Sequence, residues 1–164
     1  MISEIGKWRT GYDSTTPELV PDNADLVFPY VPPSQFAWSQ RQIDRFPHAG
    51  IARITVHGDA PDWLNASIID VEKGAFTPQM AREFCIARNN FRPGTATVYF
   101  SESRLDEMNR ALAGIHWLAF VALWDGIPRP IAGIPNLVAK QYLNTTNYDT
   151  SIVFDATWHK APHN

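Results

Sequence analysis

Asp70 and Glu72 stand two residues apart at the end of a short apolar run, Ser67-Ile68-Ile69-Asp70-Val71-Glu72. Side chains alternate faces along a strand, so both carboxyls point the same way, with Cα atoms roughly 6.5–7 Å apart. Two acids sharing one face repel each other. Their pKa values separate, and one can hold a proton near neutrality while the other stays charged. Glycoside hydrolysis needs that division: one carboxyl donates a proton to the leaving oxygen, and another carries negative charge beside the sugar. Acidic residues also end strands simply because loops are polar, so the pair must be weighed with what surrounds it.

More acids stand where strands end. Asp13 closes an apolar run in Gly11-Tyr12-Asp13-Ser14, Asp149 precedes the last run, and Asp155 follows it. Taken alone, Asp13 reads as a cap for the following turn. Four or five acids converging on one mouth would exceed what solubility requires. Gln141 and Tyr142 close the seventh run and offer an amide and a phenol to sugar hydroxyls or an N-acetyl group. Trp117 and Trp124 bracket the strand of the sixth run, and Trp124, beyond its C-terminal end, offers a stacking face; Tyr99 can reach a carboxylate from the fifth run. Each aromatic has a competing role in the core.

The five histidines (His48, His57, His116, His159 and His163) show no His-x-x-x-His or His-x-His spacing. A zinc site is therefore weakly supported, and a metal-dependent hydrolase or deaminase lacks its ligand pattern. His57 follows the third run and could reach the same mouth. Cys85 is the only cysteine, so no intrachain disulfide forms, and its helical setting points to a buried thiol without a role in catalysis. No Gly-x-Ser-x-Gly elbow, phosphate-binding loop or dinucleotide fingerprint occurs.

The elements that must carry these groups are legible as eight apolar runs: 8–12, 24–31, 51–56, 66–71, 95–100, 117–124, 137–142 and 151–154. Several are continuous and β-branched, as in strands covered on both faces. Thr77-Pro78 predicts a helix from Ala81 to Asn90, with Met80, Phe84 and Ala87 on one stripe. A second helix is expected from Ser101 or Ser103 to Leu112, and a weaker one from Ser34 to Phe46, stopped by Pro47. Strand–helix alternation favours a parallel sheet with crossovers. Eight strands in 164 residues would make a trimmed, irregular (β/α)8-like barrel with several helices reduced to loops; an open doubly wound sheet is the alternative. In both, active residues gather at the C-terminal ends of the strands.

The length suits one domain, residues 1–164, with a single core. A net charge of −3 gives no basic footprint, so nucleic acid is not an expected partner. No apolar segment is long enough to span a bilayer. No basic-then-apolar leader is visible at Met1-Ile2-Ser3-Glu4-Ile5, so the chain is expected to be made in the cytoplasm and to act on a cell wall or be carried in a phage particle.

The order of these pieces resembles glycoside hydrolase family 25, the Chalaropsis-type lysozymes. The resemblance runs through Asp13, Ile69-Asp70-Val71-Glu72, Thr97-Val98-Tyr99-Phe100-Ser101, Trp117-Leu118-Ala119-Phe120-Val121-Ala122, Ala139-Lys140-Gln141-Tyr142 and Tyr148-Asp149. It is closer still to shorter actinobacterial and actinophage proteins with a family-25-like domain. It spans about Gly11 to Trp158, and the Asp-x-Glu and Gln-Tyr strands are its most specific parts. It implies an irregular (β/α) barrel and a muramidase that cleaves the β-1,4 bond between N-acetylmuramic acid and N-acetylglucosamine in peptidoglycan glycan strands. By position, Glu72 matches the general acid. Asp70 matches the carboxylate that orients or stabilises the N-acetyl group or the charged intermediate. Asp13 and Asp149 match the acids of the first and last strands. No metal or organic cofactor is implied. The chain departs from the family in having Lys140 where a Trp is usual, Gly-Tyr-Asp where Gly-Ile-Asp is usual, and a shorter length. The competing reading is a catalytically inactive barrel that binds glycan or joins phage structural proteins in a tail or capsid.

Overall fold

In a computed structural model the structure describes residues 8–155 and 157–159. The N-terminal stretch Met1 to Ile5 and His163 lie outside them. All eight apolar runs contain strands, and the third is split in two. The strands are β1 (Arg9–Asp13), β2 (Leu26–Val27), β3 (Gly50–Ile51), β4 (Ile54–Thr55), β5 (Ile68–Asp70), β6 (Thr97–Ser101), β7 (Leu118–Ala122), β8 (Leu137–Asn144) and β9 (Asp149–Val153).

Their hydrogen-bonded order is β3-β2-β1-β9-β8-β7-β6-β5-β4. The two end strands are consecutive pieces of one stretch, separated only by Ala52 and Arg53. Backbone bonds cross this break: Ala52 N–H donates to Val27 O at 3.1 Å, Ile54 N–H to Pro29 O at 2.9 Å and Ser67 N–H to Arg53 O at 3.1 Å. The sheet thus curls until its ends meet, as a barrel.

One expectation of the sequence needs correction. The sheet is mixed, because β9 runs antiparallel to both β1 and β8. The link from Asn144 to Asp149 is a tight turn with no room for a crossover helix, and a short connection forces antiparallel neighbours.

Helices cover only part of the barrel. They are α1 (Gln40–Ile43), α2 (Ala60–Trp63), α3 (Pro78–Phe91) and α4 (Leu105–Ala111). Thr77 caps α3 by accepting from Met80 N–H at 3.3 Å, with Pro78 at the first position. Its buried stripe is Ala81, Phe84, Cys85 and Arg88, turned about one residue from the expected Met80, Phe84 and Ala87. Burial pushes the Cys85 thiol up to about 12. The helix expected over 34–46 shrinks to α1. Ser39 forms a capping box with Gln42 and fixes the start there, while Trp38 is buried against Phe46 instead of continuing a helix.

Alternation along the strands divides the core. Outward-facing Ile69, Val98, Phe100, Ala119 and Val121 pack against Phe84, Met108 and Leu112 of the α3–α4 layer. Inward-facing Leu26, Phe28, Ile54, Ile68, Phe120 and Val153 fill the barrel with Trp158. Phe28 and Phe120 lie 5.1 Å apart between ring centres, and Trp158 closes on both from below. Gly11 is required by this filling, since a Cβ there would overlap the Phe28 ring. Among the described residues no helix is long and apolar enough to cross a membrane.

Candidate active site

Above the aromatic filling, at the C-terminal ends of the parallel strands, lies a hollow of about 160 Å³. Asp13, Tyr30, Asp70, Glu72, Tyr99, Trp124, Gln141, Asn144 and Asp149 line it, over Ile54. Two shallower hollows extend it. One adds Thr15 and residues 145–148, and the other adds Phe36, Val56, His57 and Lys73. Because all three share Tyr30, they form one groove across the barrel mouth.

Each acid arrives there for a reason of register. Asp70 is the inward residue at the tip of β5, two beyond the core residue Ile68. Val71 N–H continues the ladder to Tyr99 O at 2.8 Å, which brings Glu72 to the same side. Asp13 ends β1. Asp149 begins β9 and sits directly opposite Asp13 in the antiparallel register. Such partners have Cβ atoms about 4.5–5.5 Å apart, so two like charges face each other across the pair. Asp155 follows the other end of β9 and therefore lies away from the mouth, where its carboxylate accepts from Thr157. Four acids converge, and Asp155 is not among them.

The polar groups between the acids form a chain. Tyr30 O–H donates to Asp13 Oδ1 at 3.0 Å, and Gln141 Nε2 donates to Asp13 Oδ2 at 3.2 Å. Gln141 Oε1 in turn accepts from Tyr99 O–H and from Trp124 Nε1, both at 2.7 Å. The amide is thereby fixed in one orientation, with its NH₂ toward the acid. Trp124 remains 56% exposed, so its ring edge is held while its face stays open to the groove.

Electrostatically the site is costly. Burial, with the charge of Asp149 next, raises the Asp13 carboxyl to about 7, against the lowering effect of its two hydrogen-bond donors. Burial and the nearby Glu72 raise Asp70 to about 8. Asp70 Oδ1 is buried with no hydrogen-bond partner. Burial lifts Glu72 above the usual carboxylate range, partly opposed by Arg104, and burial lifts Asp149 to about 6. Desolvation is the leading cause in all four. The groove can therefore store protons at neutral pH and release them to a basic or developing negative atom.

The structure gathers seven of the eight sequence-derived site residues: Asp13, Asp70, Glu72, Asp149, Tyr99, Trp124 and Gln141. Tyr142 does not line the hollow. Gln141 faces inward, so its neighbour turns outward, and the register of β8 shifts at this point. His57 lies on the rim beside Glu72. Trp117 is buried against Phe100 on the helix side. Lys140 also points outward, where its Nζ binds Asp125 at 2.7 and 2.8 Å and the Ile127 carbonyl at 3.0 Å.

Sequence reasoning missed Tyr30 and Asn144. Tyr30 continues the inward alternation Leu26, Phe28, Tyr30 past the end of β2, a signal present in the run itself. Asn144 was hidden because β8 extends two residues beyond the apolar run and its register shifts between Gln141 and Leu143, which turns Asn144 back toward the hollow.

At the level of sequence, no family model and no curated protein matches the chain. Solved structures do. A glycosyl hydrolase 25 of Streptococcus pneumoniae, described as a virulence factor participating in host cell invasion, superposes with a TM-score of 0.60 at 11% identity, over 88% of this chain and 86% of that one. The catalytic domain of the endolysin Ply40, from bacteriophage P40 of Listeria monocytogenes, gives 0.54 at 11% identity, over 90% and 93%. A muramidase from Acremonium alcalophilum gives 0.52 at 9% identity, over 91% and 95%. At such identities the likeness is one of fold: this chain folds as a glycosyl hydrolase 25-like domain.

Proposed function

We propose that this protein is a muramidase-like glycoside hydrolase that cleaves the β-1,4 bond between N-acetylmuramic acid and N-acetylglucosamine in peptidoglycan. The observation that supports it is the convergence of Asp13, Asp70, Glu72 and Asp149 on one open groove, in a fold shared with two proteins named as an endolysin catalytic domain and a muramidase.

Glu72 is the general acid in this reading. It is the half-exposed member of the strand-tip pair, within reach of a glycosidic oxygen in the groove, and it holds its proton above the ordinary range. Asp70 sits deeper and keeps a proton at neutral pH, so it can donate to the acyl oxygen of an N-acetyl group. Asp13, with both oxygens accepting hydrogen bonds, and Asp149 supply negative charge to the oxocarbenium-like transition state. Trp124 offers its face to a sugar ring. Action on the cell wall, directly or from a phage particle, follows from this reading.

One observation favours a second reading, a barrel that binds glycan or serves as a phage structural module without turnover. The hollow that the four acids share holds only about 160 Å³, below the ~300–1,000 Å³ common for ligand sites, so turnover needs the sugar to extend into the flanking hollows. Release of reducing ends from purified peptidoglycan separates the two. The parent protein should release them and Glu72→Gln should not, with unchanged circular dichroism. Parent protein that binds wall glycan without releasing reducing ends would establish the second reading.

A further inference from the structure

A second hollow, of about 310 Å³, lies away from the mouth, on the flank where α3 ends and β5 begins. Its charged lining is wholly basic. Arg53, Arg88 and Arg92 face it, and no Asp or Glu does. Among the described residues the ion pairs are Arg45–Asp22, Arg104–Glu107 and Lys140–Asp125, so none of these three arginines has a carboxylate partner.

Arg88 is 6% exposed. Its Nε donates to Thr95 Oγ1 at 3.1 Å and its Nη1 to the Leu64 carbonyl at 2.8 Å, while Nη2 meets no acceptor among the described residues. Arg88 and Arg92 both lie 5.7 Å from the centre of the Phe91 ring, which holds two like charges close together. Ser67 is 3% exposed, lines the same hollow, and its Oγ is buried without a partner.

Arg88 is the buried member of the three, and burial, with the charge of Arg92 next, lowers its pKa, a cost that a bound anion would offset. The negative C-terminal end of α3 accounts for part of the attraction of Arg88 and Arg92. It does not account for Arg53, which comes from the β3–β4 link, or for the unsatisfied hydroxyl. The local potential is felt by His159 at the same hollow, whose imidazole burial and the charges of Arg88 and Arg9 push down to about 4.

We propose that the hollow lined by Arg53, Arg88 and Arg92 is an anion site that takes the phosphate group of a small phosphate ester. Three guanidinium groups supply more donors than the two oxygens of a carboxylate can use, and they match the three terminal oxygens of a phosphate monoester. At about 310 Å³ the hollow leaves room for an organic remainder. The site is separate from the acid groove and does not rest on the glycosidase reading.

The test is calorimetric titration of the full chain with inorganic phosphate and with glycerol 3-phosphate, at constant ionic strength set with chloride. Arg53 and Arg92 are exposed, so Arg53→Ala and Arg92→Ala should not lower the unliganded melting temperature. Each should weaken binding about ten-fold, equivalent to 1.4 kcal/mol, with Arg92→Lys intermediate and the double variant silent. Tighter binding of glycerol 3-phosphate than of inorganic phosphate identifies an ester as the ligand; the reverse identifies the free ion and overturns the ester assignment. Binding that is absent from the parent for both probes, or is unchanged in the double variant, overturns the site.

Discussion

The barrel interior holds two layers that obey opposite rules. In the lower layer Phe28, Phe120 and Trp158 pack ring against ring in full burial, and each contact lowers the free energy of the fold. In the upper layer Asp13, Asp70, Glu72 and Asp149 crowd a half-desolvated groove, one of their oxygens without a partner. The boundary runs between Tyr99 and Phe120, which touch edge to face at 5.0 Å. Tyr99 sends its hydroxyl up to Gln141, while its ring belongs to the layer below. The lower layer stabilises enough to carry an upper layer that does not stabilise itself, as expected where a structure gives up stability at a site of action.

Substitutions can break that division or sharpen it. The largest effect is expected at Glu72. Replacement by Gln should lower the rate of wall cleavage about 10²- to 10⁴-fold, measured by dye release from labelled peptidoglycan, and leave urea denaturation unchanged. A similar loss of stability would mean that the two layers are not separable. Phe120→Ala should do the reverse and cost about 3–5 kcal/mol in urea unfolding, because it empties the ring contact shared by Phe28, Tyr99 and Trp158.

Asp70→Asn should stabilise the fold at pH 8, because it removes the charge that burial and Glu72 disfavour, while reducing cleavage. The pH dependence follows the same group. Its carboxyl rises from 3.8 to about 8 on folding, so the folded state binds the proton more tightly than the unfolded chain does. Stability is then greatest below about pH 4 and falls as pH rises through about 8. Asp13, raised to about 7, and Asp149, raised to about 6, act in the same direction. Thermal melts between pH 5 and 9 should show decreasing stability in the parent and a shallower decline in Asp70→Asn. The smallest effect is expected at Trp124, whose replacement by Ala should raise KM a few-fold, about 1 kcal/mol of lost stacking, with kcat nearly unchanged.

Much of this was legible in the sequence, because period-two alternation fixes both layers at once. Ile68 inward and Ile69 outward place Asp70 in the groove and Val71 against the helices. The same rule sends Gln141 in and Tyr142 out, an inference the paired motif obscured. Pairing partners were not legible. The opposition of Asp13 and Asp149 depends on the reversed direction of β9, and the continuous apolar runs gave no sign of direction. The extent of α1 was decided by the Ser39–Gln42 box, whereas the polar and aromatic residues from 34 to 39 looked equally helical. The outward turn of Lys140 explains how a charged residue occupies that position: it fastens the Asp125–Ile127 segment beside Trp124 from behind the sheet.

The insertion of β9 between β1 and β8 has a consequence for how the molecule is made. β1 leaves the ribosome before β9 and keeps one edge unpaired until β9, which carries Asp149, emerges. Gln141 and Asp13, which meet in the groove, are separated by 128 positions along the chain. Ring closure and completion of the groove are therefore one late event with a long loop-closure penalty. A nascent chain halted before this point carries an open strand edge and an incomplete set of acids, so the groove proposed for cleavage exists only once the cylinder is whole.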